Sequence, residues 1–382
     1  MAGITLRLFV FCSWILFSKS ELFDGSTCVV QGTNRKGICK LLGECQEAID
    51  GIKKGKFPQI CTFIGKNDYV CCPVSEKLNN SATTISTRKT GEISSTKCKE
   101  YHQYIWKVEA NPTLRIGGDD LVDYDCPFER EKLIVGGSPA QSREFPHMVQ
   151  IGYDIDNEIK WACGGSLISD QYVLTAAHCL DDLNHGLAEH ARMGITDIED
   201  EDHLQQFRIQ QRIPYPDYQE LSHYHDIGLA KLNSPANLST WVRPACIHNQ
   251  YSIQYTRSIA SGWGRTGFGD PDSPTLMKIV LEMFDQKKCN SSYESGTIRL
   301  REGIKDDIML CAGSSTELLD TCQGDSGGPL QVYKGENKEQ ACLYDIIGVT
   351  VFGRACGLVK NVPGVYARVS YYVKWIEDHV WP

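Results

Sequence analysis

From residue 134 onward, the apolar positions fall in short runs rich in β-branched residues, separated by glycine-containing turns. Examples are YVLTAAHC, RSIASGWG, DIIGVTVFG and GVYARVS. Short strands between turn signals are typical of a β-barrel or a β-sandwich. The last residues differ, because Val373, Ile376 and Val380 recur at helical spacing after Ser370, a residue type that often caps a helix. We therefore predict an all-β domain that ends in one C-terminal helix.

The N-terminal part of the chain has a different pattern. Residues 28–72 hold six cysteines in a segment too short to bury much apolar surface, so disulfides must hold it together. Residues 74–97 are rich in Ser, Thr, Lys and Glu, which predicts a flexible linker. We therefore predict a small module at 28–72, a linking region at 73–133 and the β domain at 134–382.

Residues 1–20 have the pattern of a secretory signal peptide. Arg7 precedes an apolar run over residues 8–17, and Ser18 and Ser20 form a small-x-small cleavage site. The run is too short to cross a bilayer and no other segment is long enough, so we expect a secreted protein without a membrane span. The net charge is −9 and no basic stripe is present, which argues against nucleic-acid binding.

Cysteine usage agrees with an extracellular location. The chain has seventeen cysteines, and Cys12 would leave with the signal peptide, so sixteen remain. An even number in a chain bound for an oxidising compartment predicts eight disulfides. Zinc sites are the alternative, but the CxxC pairs that such sites use are missing. Sequons for N-glycosylation stand at Asn79, Asn237 and Asn290.

Three motifs carry residue types used in nucleophilic catalysis. TAAHC places His178 after a strand, HDIGLAKL places Asp226 at the start of an apolar run, and DTCQGDSGGPL places Ser326 in a glycine-rich turn. Each alone has a plain structural explanation, as a surface histidine, a turn aspartate or a loop serine. Motifs of this length in the order His, Asp, Ser together indicate a catalytic triad. In such a site the imidazole takes the proton of the serine hydroxyl as it attacks.

With CGGSLIS and SGWG, these motifs make the chain from Ile134 to Pro382 similar to the trypsin-like serine proteases of the chymotrypsin family. The resemblance implies two six-stranded antiparallel β-barrels with the active site between them. It implies that Ser326 is the nucleophile and that His178 is the general base and then the acid. It also implies that Asp226 orients the imidazole. No cofactor is expected for this chemistry.

The same resemblance assigns roles around the serine. The backbone N–H groups of Gly324 and Ser326 match the oxyanion hole, where glycine lets the backbone approach the reacting carbonyl. Asp320, six residues before Ser326, matches the floor of the primary pocket, and its carboxylate would select Arg or Lys side chains. Gly353 and Gly364 match the pocket walls and leave the entrance open.

Some positions depart from the family pattern or have weaker signals. Val351 stands where the family usually has a serine whose hydroxyl buttresses the catalytic aspartate, so a reduced rate is expected. His223 and His225 could suggest a metal site, but we favour a solvated loop. The acidic residues 199–202 could bind calcium, but Ile195 replaces the family's usual first ligand, and a solvated acidic loop is favoured.

The spacing C-x10-C-x5-C-x15-C-x9-CC at residues 28–72 resembles a clip domain, a module of arthropod proteases that act in blood-borne cascades. KCKEY, EFPHM and IIGVTVFG are similar to the Snake-like subgroup of these proteases. Six cysteines allow 15 connectivities. The clip resemblance implies Cys28–Cys71, Cys39–Cys61 and Cys45–Cys72.

The protease resemblance implies further disulfides. One of them would join the light and heavy chains of the cleaved enzyme, namely Cys126–Cys246. Elimination then leaves Cys98 to pair with Cys342 as a second tether. The others implied are Cys163–Cys179, Cys289–Cys311 and Cys322–Cys356.

The segment EREKLIVGGSPA contains the expected activation site. In this family a new amino terminus pairs with the aspartate before the nucleophile, which is here Asp325. The resemblance places that terminus at Ile134, yet Leu133 separates it from Lys132. We therefore expect cleavage between Leu133 and Ile134 by an upstream protease with an apolar primary pocket.

Together these features suggest a zymogen of an extracellular cascade in haemolymph, serving innate immunity, melanisation, Toll or developmental signalling. Its expected partners are the upstream activator, a downstream clip-protease zymogen and a serpin-type inhibitor. The sequence leaves three alternatives: a non-catalytic clip-domain adaptor, which would typically lack Ser326; a digestive trypsin, which would not need the clip module; and a venom protease of the same architecture.

Overall fold

A computed structural model describes residues 27–30, 36–42, 45–54, 56, 58–64, 67–73, 89–109, 121–124, 137–265, 269–293, 295–314, 324–335, 343–353 and 362–382. The chain divides into two compact units, Met1–Thr87 and Arg88–Pro382. Several predictions concern positions outside the described residues: the signal peptide at 1–20, Asn79, Cys126, Leu133, Ile134, Asp320, Cys322, Cys342 and Cys356.

The described part of the first unit is a small antiparallel sheet with one helix. Its sheet order is first, second, fourth, third strand. The buried side chains are mostly half-cystines, because so short a segment has little apolar surface to bury. Disulfides Cys28–Cys71, Cys39–Cys61 and Cys45–Cys72 join it, with Cα separations of 6.0, 6.0 and 5.7 Å. The predicted disulfide-rich module is confirmed. Its elements are β1 (Thr27–Val29), β2 (Lys36–Leu41), α1 (Gln46–Lys53), β3 (Ile60–Ile64) and β4 (Asn67–Pro73).

The second unit begins with helix α2 (Glu92–Tyr101), where a flexible linker was expected. A 3-10 turn (His102–Ile105) follows, and then the hairpin of β5 (Trp106–Glu109) and β6 (Leu121–Tyr124). The linker prediction is therefore wrong for residues 92–97. The reason is tertiary: the Glu377 carboxylate accepts hydrogen bonds from amides at the start of α2, which local composition cannot reveal.

The packing of helix α2 determines the disulfide partner of Cys98. Cys98 lies on its buried face, 2 % exposed, and bonds to Cys246 with the Cα atoms 5.0 Å apart. The expected pairs Cys126–Cys246 and Cys98–Cys342 are therefore wrong. The physical reason is packing, because Cys98, Cys246 and the fully buried Ile105 belong to one apolar cluster that brings this helix against Cys246.

The first barrel closes as a ring of six strands. In β8, Val149, Ile151 and Tyr153 alternate inward and are fully buried, as the period of a strand requires. The ring follows the order β8, β9, β10, β14, β13, β12, and β12 pairs back to β8. A short strand, β11, pairs with β12 at the edge. The bounds are β7 (Ser138–Pro139), β8 (Met148–Ile155), β9 (Glu158–Leu167), β10 (Tyr172–Thr175), β11 (Asp181–Asp182), β12 (Gly186–Met193), β13 (Gln205–Pro214) and β14 (Gly228–Leu232).

The second barrel is a second ring of six strands. The ring follows the order β16, β17, β18, β21, β20, β19, and β19 pairs back to β16. Strand β7 pairs with β17, and β15 pairs with β20 in parallel. The predicted pair of six-stranded barrels is confirmed. The bounds are β15 (Cys246–Ile247), β16 (Arg257–Gly262), β17 (Met277–Phe284), β18 (Met309–Gly313), β19 (Pro329–Tyr333), β20 (Tyr344–Phe352) and β21 (Gly364–Arg368).

Two further helices complete this unit, α3 (Gln286–Ser292) and α4 (Val369–Val380). The C-terminal helix α4 was predicted, although it begins at Val369 rather than after Ser370. Its apolar face, including Val373 and Ile376, is fully buried. Disulfides Cys163–Cys179 and Cys289–Cys311 are present as the resemblance implied. Within the described ranges, no helix has both the length and the apolar character needed to cross a membrane.

Candidate active site

His178 lies in a short 3-10 turn (Ala177–Cys179) that follows β10, and Asp226 lies just before β14. The Nδ1–H of His178 donates to Asp226 Oδ2 at 2.7 Å, and the His178 backbone N–H donates to Oδ1 at 2.9 Å. Asp226 is 3 % exposed and the His178 side chain 27 % exposed. The Cys163–Cys179 bridge fixes the turn beside the imidazole. The predicted His–Asp pair is thus assembled in the structure.

Electrostatics favour a charged imidazole at this position. Burial by itself lowers the pKa of His178, but the charge and hydrogen bond of Asp226, with a further contribution from Asp182, outweigh it. The net shift of the His178 pKa is therefore upward. This is the arrangement needed by a base that must become an imidazolium during the reaction.

Ser326 lies in the turn that precedes β19, and glycines make this turn possible. Gly324 and Gly327 have φ values of +99° and +77°, which favour glycine. A Cβ on Gly324 would lie 2.8 Å from Gly264 Cα, and one on Gly327 would collide with Thr175. The sequence GDSGG therefore folds into a turn that no larger residues could form.

The serine turn lies against the histidine turn. The Ser326 carbonyl accepts a hydrogen bond from Gly164 N–H at 2.8 Å and lies 3.5 Å from Cys179 Sγ. Within the described residues, the Ser326 hydroxyl makes no hydrogen bond to His178, whose Nε2 lies 3.6 Å from Cys179 Sγ. Catalytic hydrogen bonds often tighten only when substrate is bound. The structure therefore brings Ser326 to the pair without the third contact.

Asp325, the predicted partner of the new amino terminus, lies against a glycine-lined wall. Its Oδ1 accepts a hydrogen bond from Gly264 N–H at 3.0 Å, and a Cβ on Gly262 would collide with this carboxylate. The segment SGWG therefore shapes a cradle for Asp325. Its expected partner Ile134 is outside the described residues, so the ion pair stays a prediction.

Two cavities beside the pair share His223 and Phe352 among their lining residues. A cavity of about 250 Å³ is lined by His178, Asp226, His223 and Val351. A more open cavity of about 420 Å³ is lined by His223 and Gly353 among others. Gly353 follows β20 at the mouth of the cleft. The other predicted wall residue, Gly364, is the first residue of β21 and is buried.

Val351 lies in β20, is 5 % exposed and offers no hydroxyl to Asp226. In the part of the chain that the structure describes, every hydrogen bond to Asp226 comes from His178. The carboxylate is therefore oriented by the backbone N–H and the imidazole of His178, with no third donor among the described residues.

His223 and His225 lie in a loop, as expected, but both imidazoles are half-buried against aromatic rings rather than solvated. The His223 ring stacks on Phe352, with centroids 4.0 Å apart and planes at 19°. Burial, and the positive charges of Arg299 and His178, lower the His223 pKa to about 4. His225 packs among tyrosines. The sequence signal for both histidines was that they precede Asp226 closely. That proximity locates them near the site but does not show which side chains they contact.

The acidic run and Ile195 lie in a loop after β12, and calcium binding there stays a prediction without a test. Ile195 is 8 % exposed in an apolar cluster and has no oxygen in its side chain. The carboxylates of Asp197 and Asp200 accept hydrogen bonds from the backbone N–H groups of Glu199 and Asp202. The sequons Asn237 and Asn290 are on exposed residues.

Comparisons with known proteins agree with this geometry. The family model described as Trypsin matches residues 134–376. Serine protease snk of Drosophila melanogaster is 34% identical over 94% of this chain and 80% of its own length. CLIP domain-containing serine protease B4 of Anopheles gambiae is 33% identical over 67% of this chain and 73% of its own. A venom protease of Bombus pensylvanicus is 33% identical over 63% of this chain and 96% of its own. The chain belongs to the trypsin family of serine endopeptidases and, within it, to the arthropod clip-domain proteases.

Proposed function

We propose that this chain is the secreted zymogen of an endopeptidase that cuts after Arg or Lys in an extracellular cascade, with Ser326, His178 and Asp226 as its triad. The observation that carries the proposal is the 2.7 Å His178–Asp226 hydrogen bond beside the glycine-supported Ser326 turn. A serine hydroxyl is a poor nucleophile at neutral pH, and an oriented imidazole supplies the missing base.

The reaction follows from these positions. The Ser326 hydroxyl attacks the scissile carbonyl while His178 Nε2 takes its proton. The N–H groups of Gly324 and Ser326 stabilise the oxyanion, and one such donor typically contributes on the order of 3 kcal/mol. His178 then protonates the leaving amine, and an acyl-enzyme remains. Water attacks the acyl carbonyl while His178 takes its proton, and His178 returns that proton to the Ser326 oxygen as the new carboxyl group leaves. Asp226 stabilises the imidazolium throughout.

Specificity for Arg or Lys is proposed to come from Asp320, with Gly353 keeping the pocket entrance open. A carboxylate at the pocket floor would bind a cationic side chain through a charge-assisted hydrogen bond. The activated enzyme should hydrolyse Arg-ended chromogenic peptides and ignore Phe-ended ones, and Asp320→Ser should lose the Arg preference while Ser326→Ala loses all turnover. A preference for Phe would refute the pocket assignment.

Activation is proposed to occur between Leu133 and Ile134. Cutting after Lys132 would leave one extra residue, about 3.3 Å of chain, between the new amino group and Asp325. Removing one partner of a buried ion pair typically costs about 3–5 kcal/mol, enough to keep the active conformation from forming. Because the enzyme's own pocket selects cations, it cannot cut after Leu133, and its activator must have an apolar pocket.

Two proteases distinguish these cuts. Trypsin should convert the zymogen to a form beginning at Leu133 without activity, and a protease that cuts after Leu should produce the form beginning at Ile134 with activity. Leu133→Arg is the matched variant, and trypsin should activate it. Activity from a form that begins at Leu133, or spontaneous activation of the pure unmodified zymogen, would show the site to be elsewhere.

The place in a cascade rests on similar proteins that include clotting factor G beta subunit of Tachypleus tridentatus and phenoloxidase-activating factor 1 of Holotrichia diomphalia. We propose an apolar-pocket protease upstream, a clip-protease zymogen downstream and a serpin-type inhibitor, all in haemolymph. Incubating the activated enzyme with candidate zymogens and sequencing the new amino termini tests this. A venom protease is the second candidate function, because the similar protein of Bombus pensylvanicus is a venom protease. Expression of this chain confined to a venom gland would favour that function.

A further inference from the structure

His225, the residue before Asp226, has an unusual backbone conformation. Its φ is +56°, and it is one of four non-glycine residues with positive φ in the described ranges. Two of the others, Asp156 and Asn157, form the turn between β8 and β9, where this conformation is ordinary. At His225 the left-handed conformation lies next to the carboxylate of the His–Asp pair and needs compensation from its surroundings.

The His225 side chain supplies that compensation. Its ring stacks on Tyr215, with centroids 5.3 Å apart and planes at 19°. Its Nδ1 shares a hydrogen bond of 3.2 Å with the hydroxyl of Tyr372, a residue of α4 that is 1 % exposed. Tyr215 and Tyr372 also pack edge to face, with centroids 4.8 Å apart. The imidazole is therefore held between the end of β13 and the C-terminal helix.

The same residues fix the backbone on both sides of Asp226. The Ile227 N–H donates to the His225 carbonyl at 2.8 Å, which spans the aspartate. The Tyr215 N–H donates to the Ile227 carbonyl at 2.9 Å. Since no hydroxyl at position 351 holds the Asp226 carboxylate, its direction is set by the two donors of His178 and by this short stretch of backbone.

We propose that His225 is a positioning residue for Asp226: its left-handed backbone conformation, which the contacts of its ring with Tyr215 and Tyr372 support, aims the carboxylate at His178. The inference rests on the triad assignment made under Proposed function. It also explains how the enzyme tolerates Val351, because the orienting role of the family's usual serine passes to the backbone between His225 and Ile227. A turn to negative φ at His225 would rotate the Asp226 side chain away from the imidazole.

The test compares side chains that differ in their tolerance of positive φ, in the activated two-chain enzyme with an Arg-ended peptide substrate. Asparagine adopts this conformation readily, alanine less so, and valine least. His225→Asn should keep kcat within twofold of the wild type. His225→Ala should lower kcat five- to tenfold with KM within twofold, and His225→Val should lower it at least as far. The midpoint of the acid limb should fall in the alanine variant, because a misaimed Asp226 raises the His178 pKa less.

Controls separate this role from packing and from failure of the triad itself. His225→Phe keeps an aromatic ring but not the tolerance of positive φ, so a phenylalanine variant that equals the wild type while His225→Asn does not would overturn the proposal. A kcat within twofold for His225→Ala would do the same. If that variant does not fold, Tyr372→Phe decides, with a two- to threefold loss of kcat expected and no loss contradicting it. His379→Ala on the same helix should leave kcat unchanged. Turnover by Ser326→Ala would instead refute the proposed function.

Discussion

Glu377 offers a direct test of how the light chain is held to the catalytic unit. The side chain is on α4 and the residue is 4 % exposed. Its carboxylate accepts hydrogen bonds from Gly91 N–H at 3.0 Å and from Ser94 N–H at 2.8 Å, at the start of α2. These are amides that a helix leaves without partners of its own, and an anion there is favoured by the helix dipole.

The expected cost of Glu377→Ala follows from the two amides. Each buried N–H left without an acceptor costs about 1–3 kcal/mol, so the docked state of α2 should lose about 3 kcal/mol in all. Since 1.4 kcal/mol is a factor of ten, the closed-to-open ratio of this segment should fall roughly 100-fold. Glu377→Gln keeps one good acceptor oxygen and should lose about half as much free energy.

Amide hydrogen exchange of the intact zymogen measures this ratio directly, because it reports local opening without breaking the Cys98–Cys246 bridge. The amides of Gly91 and Ser94 should lose protection in the order wild type, Gln, Ala. Asp378→Ala is the matched control, since this neighbour on α4 is exposed and pairs only with Lys374 in the described residues. Protection in the alanine variant within threefold of the wild type would show that Glu377 does not hold the start of α2.

Three further outcomes are expected. Burial lowers the pKa of His147 to about 3, whereas a histidine in the unfolded chain has a pKa near 6.5. The unfolded chain therefore binds a proton at higher pH than the folded chain, and the free energy of unfolding falls as pH drops from about 6.5 towards 3. At pH 5 the loss is about 2 kcal/mol, and urea unfolding should find it absent in His147→Gln. Asp226→Asn should lower kcat on the order of 10⁴-fold and move the acid limb to lower pH, because the His178 pKa loses its upward shift; an unmoved limb would count against the pair. With Cys98 bonded to Cys246, peptide mapping should find Cys126 joined to Cys342, and either one free or bonded elsewhere would contradict this second tether.

The strands and the residues of the site could be predicted from the sequence because their signals are local, whereas the closure into two six-stranded barrels was implied by the family resemblance. Alternating apolar residues in β8 bury on one face, and the glycines around Ser326 are required by positive φ and close packing. The motifs around His178 and Asp226 each place one residue next to a strand, and the fold fixes the positions of those strand ends. Nothing in these steps needs knowledge of distant contacts.

The wrong predictions share the opposite property. Residues 92–97 look like linker, and the cap that orders them is 283 residues away from Ser94, on Glu377. Counting cysteines could show that Cys98 has a partner, but only the packing of α2 selects Cys246 over Cys342. Similarly, the sequence places histidines beside Asp226 without showing which aromatic rings they would meet.

In the proposed function, Ser326 becomes the nucleophile of an endopeptidase once the chain is cut after Leu133. The most direct measurement is to react the enzyme cut at that bond with a fluorophosphonate and map the modified residue by mass spectrometry. We expect a single phosphonylated residue, Ser326, formed far faster in the cut enzyme than in the zymogen and lost in His178→Ala. No modification, modification of another residue, or equal rates in the cut and uncut chains would contradict it.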